Sequence, residues 1–337
     1  MKARFQISMP VRYCVNLILM IAFLTAGSFL TQSGLLGRAQ NSIIIQVGFY
    51  IILAVSLNLV TGYLGQLPLG HAGFMAVGAY AGAIFWKSGL LPETPSLIVG
   101  LFVAGLVAAA FGILIGIPAL RLKGDYLAII TLGFGEIIRV AIINLSDITG
   151  GTPGLKGIPK YSSFLVVYIC VLIACVAIHM LMKSRHGRAI LAIRENEIAV
   201  ESCGVNTTYY KVMAFAVSAF FAGVAGALYG GNQGILAPAS FDFMTSINIL
   251  VIVVLGGMGS MIGSVIAAAI LTSLPLALQA FNEYRLIIYA LLLIIVMVFK
   301  PSGLMGTYDF SLSRLIEKAV TRLKVPKEEG GVYHDDP

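Results

Sequence analysis

Charge is what this 337-residue chain has least of: Asp, Glu, Lys and Arg make up 11% of it, while 58% is hydrophobic. A soluble domain carries about 25% charged and 45–50% apolar residues. A water-soluble globule of this size would run out of polar groups for its surface, and intrinsic disorder as a class is excluded by the same shortage of charge. The four Cys (Cys14, Cys170, Cys175 and Cys203) do not make a disulfide framework, and no pair of them has metal-ligand spacing with a His. There is no G-x-x-x-x-G-K-[ST] loop to cradle a nucleotide phosphate, no H-E-x-x-H helix and no G-x-S-x-G elbow. No enzyme activity, metal or cofactor is expected in this chain. If ATP drives it, another subunit binds the nucleotide.

What is present is apolar length. About 20 apolar residues cross a bilayer, and ten apolar runs follow one another: 13–30, 43–60, 69–86, 97–120, 126–145, 164–182, 212–229, 247–255, 261–278 and 286–299. The eighth is too short to cross alone. It either begins within Phe241–Ser246 or is a half-helix broken by Gly256, Gly257 and Gly259. The expected fold class is an all-α polytopic membrane protein with about ten transmembrane helices, its membrane domain spanning 13–305. Met1–Leu30 reads as a retained first helix rather than a signal peptide, because its apolar run exceeds a usual signal core.

The net charge of +7 would point to nucleic acid in a soluble protein, but here it reads as topology. With segment 1–12 on the cytoplasmic side and strict alternation, 16 of the 22 Lys and Arg fall inside and five outside, with Arg139 within a span. That is the excess expected of a protein with both termini cytoplasmic. The segment 306–337 is a basic tail in which Leu312, Leu315, Ile316, Ala319, Val320 and Leu323 share one helical face. It suits the anionic inner leaflet; a solvated helix that touches a partner subunit or nothing is the other reading. Membrane lipids are an expected partner, and nucleic acid is not.

Three features stand out within this frame. Glycines four apart, such as Gly78/Gly82, Gly112/Gly116, Gly226/Gly230 and Gly259/Gly263, suit close helix packing in lipid. The stretch Thr61–His71, with Gly62, Gly65, Gln66, Gly70 and His71, interrupts the apolar pattern, and Gly256–Ser260 with Gly257 and Gly259 does so again. Irregular backbone at membrane depth survives only where protein or a watery cavity receives it, so these are candidate pathway elements; a tight turn at the inner surface is the other reading. Glu136 and Arg139 are the charges well inside a span, at i, i+3 on one helix. They read as a structural pair, or else as a proton relay.

The longest hydrophilic interruption, within 183–211, is basic early and acidic later, with Ala189, Ala192, Ile193, Ile198 and Ala199 near helical spacing. It reads as short helices broken by Gly187 and Gly204, with Gly204 at a positive φ, and as a docking surface for a cytoplasmic partner.

This loop resembles a known family. Gly187-Arg188-Ala189, Ala192-Ile193-Arg194-Glu195-Asn196-Glu197 and Gly204-Val205-Asn206 look like the coupling loop of ABC importer permeases, in particular the LivM type that serves branched-chain amino acids. Ser56-Leu57-Asn58-Leu59, Gly70-His71-Ala72-Gly73-Phe74, Arg121–Ile129, Thr131–Glu136 and Gly150–Pro159 agree, in order, from about Ile51 to Gly306. Where the general motif carries E-A-A, this chain has Ile198-Ala199-Val200, with Glu197 just before. The resemblance implies the ABC importer permease fold with inverted repeats, in the bacterial inner membrane. It also implies a second homologous permease, two cytoplasmic ATPase subunits that bind ATP and Mg, and a periplasmic substrate-binding protein. Gly187, Arg188, Ala192, Arg194, Glu195, Glu197, Ala199 and Gly204 are then the expected ATPase-coupling residues. Gly62, Gly65, Gln66, Gly70, His71, Glu136, Gly257 and Gly259 become candidates for the pathway. Urea or short amides as cargo, and a proton-coupled transporter using Glu136 and Arg139, stand as alternatives.

Overall fold

The computed structural model describes residues 37–122 and 124–277, with isolated positions nearer each terminus. The segment 1–12 and the tail 306–337 lie outside the described residues, as do most of the expected spans at 13–30 and 286–299.

Each of the other eight apolar runs is helical. In chain order the helices are α1 (Arg38–Asn58), α2 (His71–Lys87), α3 (Glu93–Ala119), α4 (Asp125–Asn144), the single turn α5 (Ser146–Thr149) and α6 (Phe164–Lys183). There follow α7 (Arg185–Glu195), α8 (Glu197–Ser202), α9 (Thr207–Gln233), α10 (Phe243–Gly256) and α11 (Met261–Ala277). Five of the described helices are long and apolar enough to cross a membrane: Gln40–Tyr63, which runs past the end of α1, with α3, α4, α6 and α9. At about 1.5 Å per residue, α10 with its 14 residues is shorter than a hydrocarbon core of about 30 Å. It starts at Phe243, where Asp242 caps it by accepting from the Thr245 N–H at 2.9 Å, and ends at the Gly256–Gly257 break.

The centre of the bundle is α9, packed along α2 and α3 and touching α1, which itself packs on α11 and α6. Small residues set these distances, as lipid supplies no hydrophobic drive between helices. A Cβ on Gly78 would run into the backbone of Gly223, one on Gly226 into Met75, and one on Gly112 would stand 2.6 Å from Ala219 Cβ. The Gly259/Gly263 pair is a correction to the sequence reading. Gly259 lies in the turn before α11, and Gly263 packs on Gly256 instead.

The elements gather their connections at two ends. One end carries the turn after α1, the α3–α4 connection, α7 and α8, and the α10–α11 turn. The other carries α5, the 3-10 turn Pro238–Phe241, and strands β1 (Leu155–Lys156) and β2 (Ile235–Leu236). These strands pair antiparallel, Leu155 opposite Leu236, and are a small exception to the all-helical expectation.

Candidate functional site

At the first of these ends α1 does not simply stop. It widens into a π-helical turn, Leu59–Tyr63, whose first four residues are buried, and the chain then runs irregularly to Gly70 before α2 begins. A π turn frequently marks a functional position, because it shifts the hydrogen-bond ladder and redirects the helix. The carbonyls at such an end have no helical partner and need one from elsewhere.

For Gly62 that partner is Arg194 of the hydrophilic loop, and the α10–α11 turn is fastened to the same end through Asn58. Asn58 reaches the α10–α11 turn from the last turn of α1: its Oδ1 accepts from the Gly259 N–H at 2.8 Å, and its Nδ2 donates to the Ser260 carbonyl at 3.1 Å. Gly62 lies so close that a Cβ there would collide with the Gly259 nitrogen and with Asn58 Oδ1. The two broken stretches, nearly 200 residues apart, are therefore one structural unit. Arg194, in the last turn of α7, closes it: Nη1 donates to the Gly62 carbonyl at 2.8 Å.

The far side of the break is fastened as firmly. The Leu69 N–H donates to Thr131 Oγ1 at 2.9 Å, and Gly70 lies against the Thr131 carbonyl. His71 is buried with Nε2 3.1 Å from Ser56 Oγ; Ser218 Oγ donates to the Ser56 carbonyl at 2.6 Å, and the Ala72 N–H to Ser246 Oγ at 3.0 Å. Thr131 of α4 and Ser246 of α10 thus accept backbone donors that the break leaves free, as buried irregular backbone requires. Beside them, Ser56 and Ser218 tie α1, α2 and α9 together.

The hydrophilic loop is a chain of capped helices. Ser184 Oγ accepts from the N–H groups of His186 (3.1 Å) and Gly187 (3.4 Å), Asn196 Oδ1 from Ala199 (3.1 Å), and Asn206 Oδ1 from Tyr209 (3.0 Å). Each cap satisfies a donor that the first helical turn leaves orphaned. Gly187, expected to break the loop, is instead buried in the first turn of α7 against the backbone of Met182; the breaks fall at Ser184 and Asn196. Gly204 follows α8 with φ +79° and open space around it. Ile190 and Ile193 bury the inner face of α7, while Arg188, Ala192, Glu195, Ala199 and Gly204 are exposed. Glu197 turns inward: its Oε1 takes a bond from Nζ of the buried Lys211 at 2.6 Å. The pair lets Lys211 be buried within α9, which begins at Thr207, five residues before the expected apolar start.

Glu136 is not part of this assembly. It pairs with Arg139 at 2.7 Å, both side chains about one-third exposed, on the face of α4 opposite its buried Leu127, Thr131 and Ile138. Ile137, Val140, Ala141 and Asn144 lie beside it on the same open face of α4. The sequence reading did not single out Asn58, Ser56, Thr131, Ser218, Ser246 or Lys211 for the site. Asn58 had a usable signal, an amide within an apolar run where a polar group must find a partner.

Among the described residues there is no cluster of His, Cys, Asp or Glu fit for a metal ion. What the fold and this junction define is a multi-pass helical membrane protein whose hydrophilic helix pair is bolted to interrupted spans. A family model described as the branched-chain amino acid transport system / permease component matches residues 40–297. The chain is 37% identical over 326 residues to the high-affinity branched-chain amino acid transport system permease protein LivM of Salmonella typhimurium. The match covers 86% of this chain and 74% of that protein, and LivM of Escherichia coli matches to the same extent. LivH of Salmonella typhimurium, a permease of the same kind of system, is 26% identical over 281 residues, covering 76% of this chain and 91% of its own. The chain belongs to the branched-chain amino acid transport permease family, and it is a permease component rather than an enzyme.

Proposed function

We propose that this chain is the permease subunit of an ATP-driven importer that moves branched-chain or related hydrophobic amino acids across the bacterial inner membrane. The observation that carries the reading is the likeness to the LivM permeases over most of the chain. Supporting it, α7 and α8 present small and charged residues outward while their inner side is held to the spans, as a lever on another subunit must be. ATP and Mg then belong to two cytoplasmic ATPase subunits docked on the 187–206 segment. A periplasmic binding protein delivers the cargo. Similarity to both LivM and LivH supports a pair of related permeases, with this chain as one member.

In this reading about ten helices cross the membrane as inverted repeats, with both termini and the α7–α8 end cytoplasmic; the alternation of helices agrees with the split of basic residues. Gly62, Gly65, Gln66, Gly70, His71, Gly257 and Gly259 form the inner gate region. Glu136, paired with Arg139 outside this gate region, faces the second permease, since a charged pair at membrane depth needs water or protein beside it.

The test is uptake of labelled leucine into vesicles holding the purified complex. Accumulation that needs ATP, the binding protein and this chain together is the expected result. Uptake by this chain alone under a pH gradient, or uptake of urea and short amides in preference to leucine, would replace the reading with one of its alternatives.

A further inference from the structure

We infer that Arg194 is a positioning residue that carries movement of α7 into the two broken stretches, and so joins the ATPase-facing surface to the gate. The inference rests on the proposed function above and adds to it where the force enters the spans.

Arg194 lies in the loop expected to meet the ATPase, yet one edge of its side chain points the other way. Nη1 donates to the Gly62 carbonyl, in the π turn that ends the first long helix. A cation at the C-terminal end of a helix both satisfies an orphaned carbonyl and meets the negative end of the helix dipole. The stem runs over Gly65, where a Cβ would stand 2.7 Å from Arg194 Cγ. Gly65 has φ +76°, so the chain uses glycine here for conformation and for room at once. Nη1 also lies 3.5 Å from the position a Cβ would take on Gly259. One side chain thus bonds the first interruption and lies beside the second.

The other edge of the guanidinium is held from its own helix. Nε and Nη2 both donate to Glu195 Oε1, at 3.2 and 2.8 Å. A planar fork fixed at both edges transmits displacement, whereas a lysine ammonium on a flexible stem offers a single point of contact. Ile190 and Ile193 pack α7 through apolar surface, which resists separation but not sliding. The Arg194 bond is directional. Because Gly62 bears on Gly259 and shares Asn58 with it, any shift of the Gly62 carbonyl reaches the start of α11.

The experiment compares the complete complex, reconstituted in vesicles, carrying wild-type chain, Arg194→Met, Arg194→Lys or Gly65→Ala. The readouts are co-purification of the ATPase subunits and moles of leucine taken up per mole of ATP hydrolysed. Arg194→Met is expected to keep the ATPase subunits and lose at least tenfold in that ratio, with Arg194→Lys falling in between. Gly65→Ala, which displaces the stem from outside the loop, should reproduce the loss. A wild-type ratio in Arg194→Met or in Gly65→Ala overturns the inference. So does dissociation of the ATPase subunits in both, which would make Arg194 a docking residue. A wild-type complex that takes up nothing with ATP would overturn the function reading, and this inference with it.

Discussion

Arg139 and Arg194 each have a glutamate beside them, but they are used in different ways. Arg139 is bonded to Glu136 one turn away on its own helix, and the pair sits on the outward face of α4, of whose spanning window only 22% is buried. Arg194 bonds its neighbour Glu195 and also a carbonyl 132 residues away, at the end of the most buried of the described spans. One charge is neutralised locally so that a helix can lie in the membrane; the other is spent on holding elements together. A local pair stabilises an isolated helix by about 0.2–0.5 kcal/mol. A charge that satisfies a buried carbonyl is worth about 1.5–3 kcal/mol, and its loss is felt by every element that meets there. Removal of a group in the junction should therefore spread through the protein, while removal on the outer face of α4 should not.

The largest effect is expected where the junction is tightest. Gly62→Val pushes a branched side chain into the Gly259 backbone and Asn58, and overpacking of this kind costs about 1–3 kcal/mol or more. Uptake should fall below detection, with a lower melting temperature of the purified complex. Wild-type uptake would mean that the two interruptions need not touch.

Next comes the face that looks outward. Ala199 is exposed on α8, so Ala199→Arg should insert and fold normally yet lose uptake and the bound ATPase subunits. Pull-down of those subunits measures it, and retention at the wild-type level would remove α8 from the docking surface.

Glu197→Ala is a smaller perturbation to transport and a clear one to stability. The sequence alone makes Glu197 a marginal member of the motif, and its loss would be expected to be mild. The ion pair reverses that expectation, because Lys211 is left buried with its charge partner removed; breaking a buried pair costs about 3–5 kcal/mol. Thermal unfolding of the complex should show this loss, and the double change Glu197→Leu with Lys211→Met should recover most of it. A double variant no better than the single one would make the carboxylate contact irrelevant.

The smallest effect belongs to α4. Removing both charges, with Glu136→Gln and Arg139→Met, should change stability by no more than about 0.5 kcal/mol, in line with a local pair. Glu136→Gln alone should be worse, since it strands a cation at membrane depth. A double-variant cycle on unfolding of the complex checks both. A large loss of uptake in the double variant would show that this face conducts cargo.

Much of this architecture was legible beforehand. Runs of apolar residues place helices because a lipid-facing backbone must satisfy its own hydrogen bonds, and eight of the expected runs are helical at nearly the expected limits. The polar caps were a signal left unused: Ser184 and Asn196 precede the short helices α7 and α8, and Asn206 precedes the long α9. Gly187 misled because glycine in a polar loop suggests a break, whereas here it permits α7 to fold back on Met182. Lys211 misled because a charge suggests the water side, and its partner Glu197 stands 14 residues away in another helix.

Hydropathy, charge balance and motif order are properties of short windows, and they determined the membrane class, the helical frame and the family resemblance without reference to any contact. Tertiary structure alone decided that Asn58, Gly62, Arg194 and Gly259 meet at one point. Which donor finds an orphaned carbonyl depends on how the helices are rotated and how deep each one sits. Those are set by the packing of glycine faces such as Gly78 on Gly223, in contacts between residues far apart along the chain.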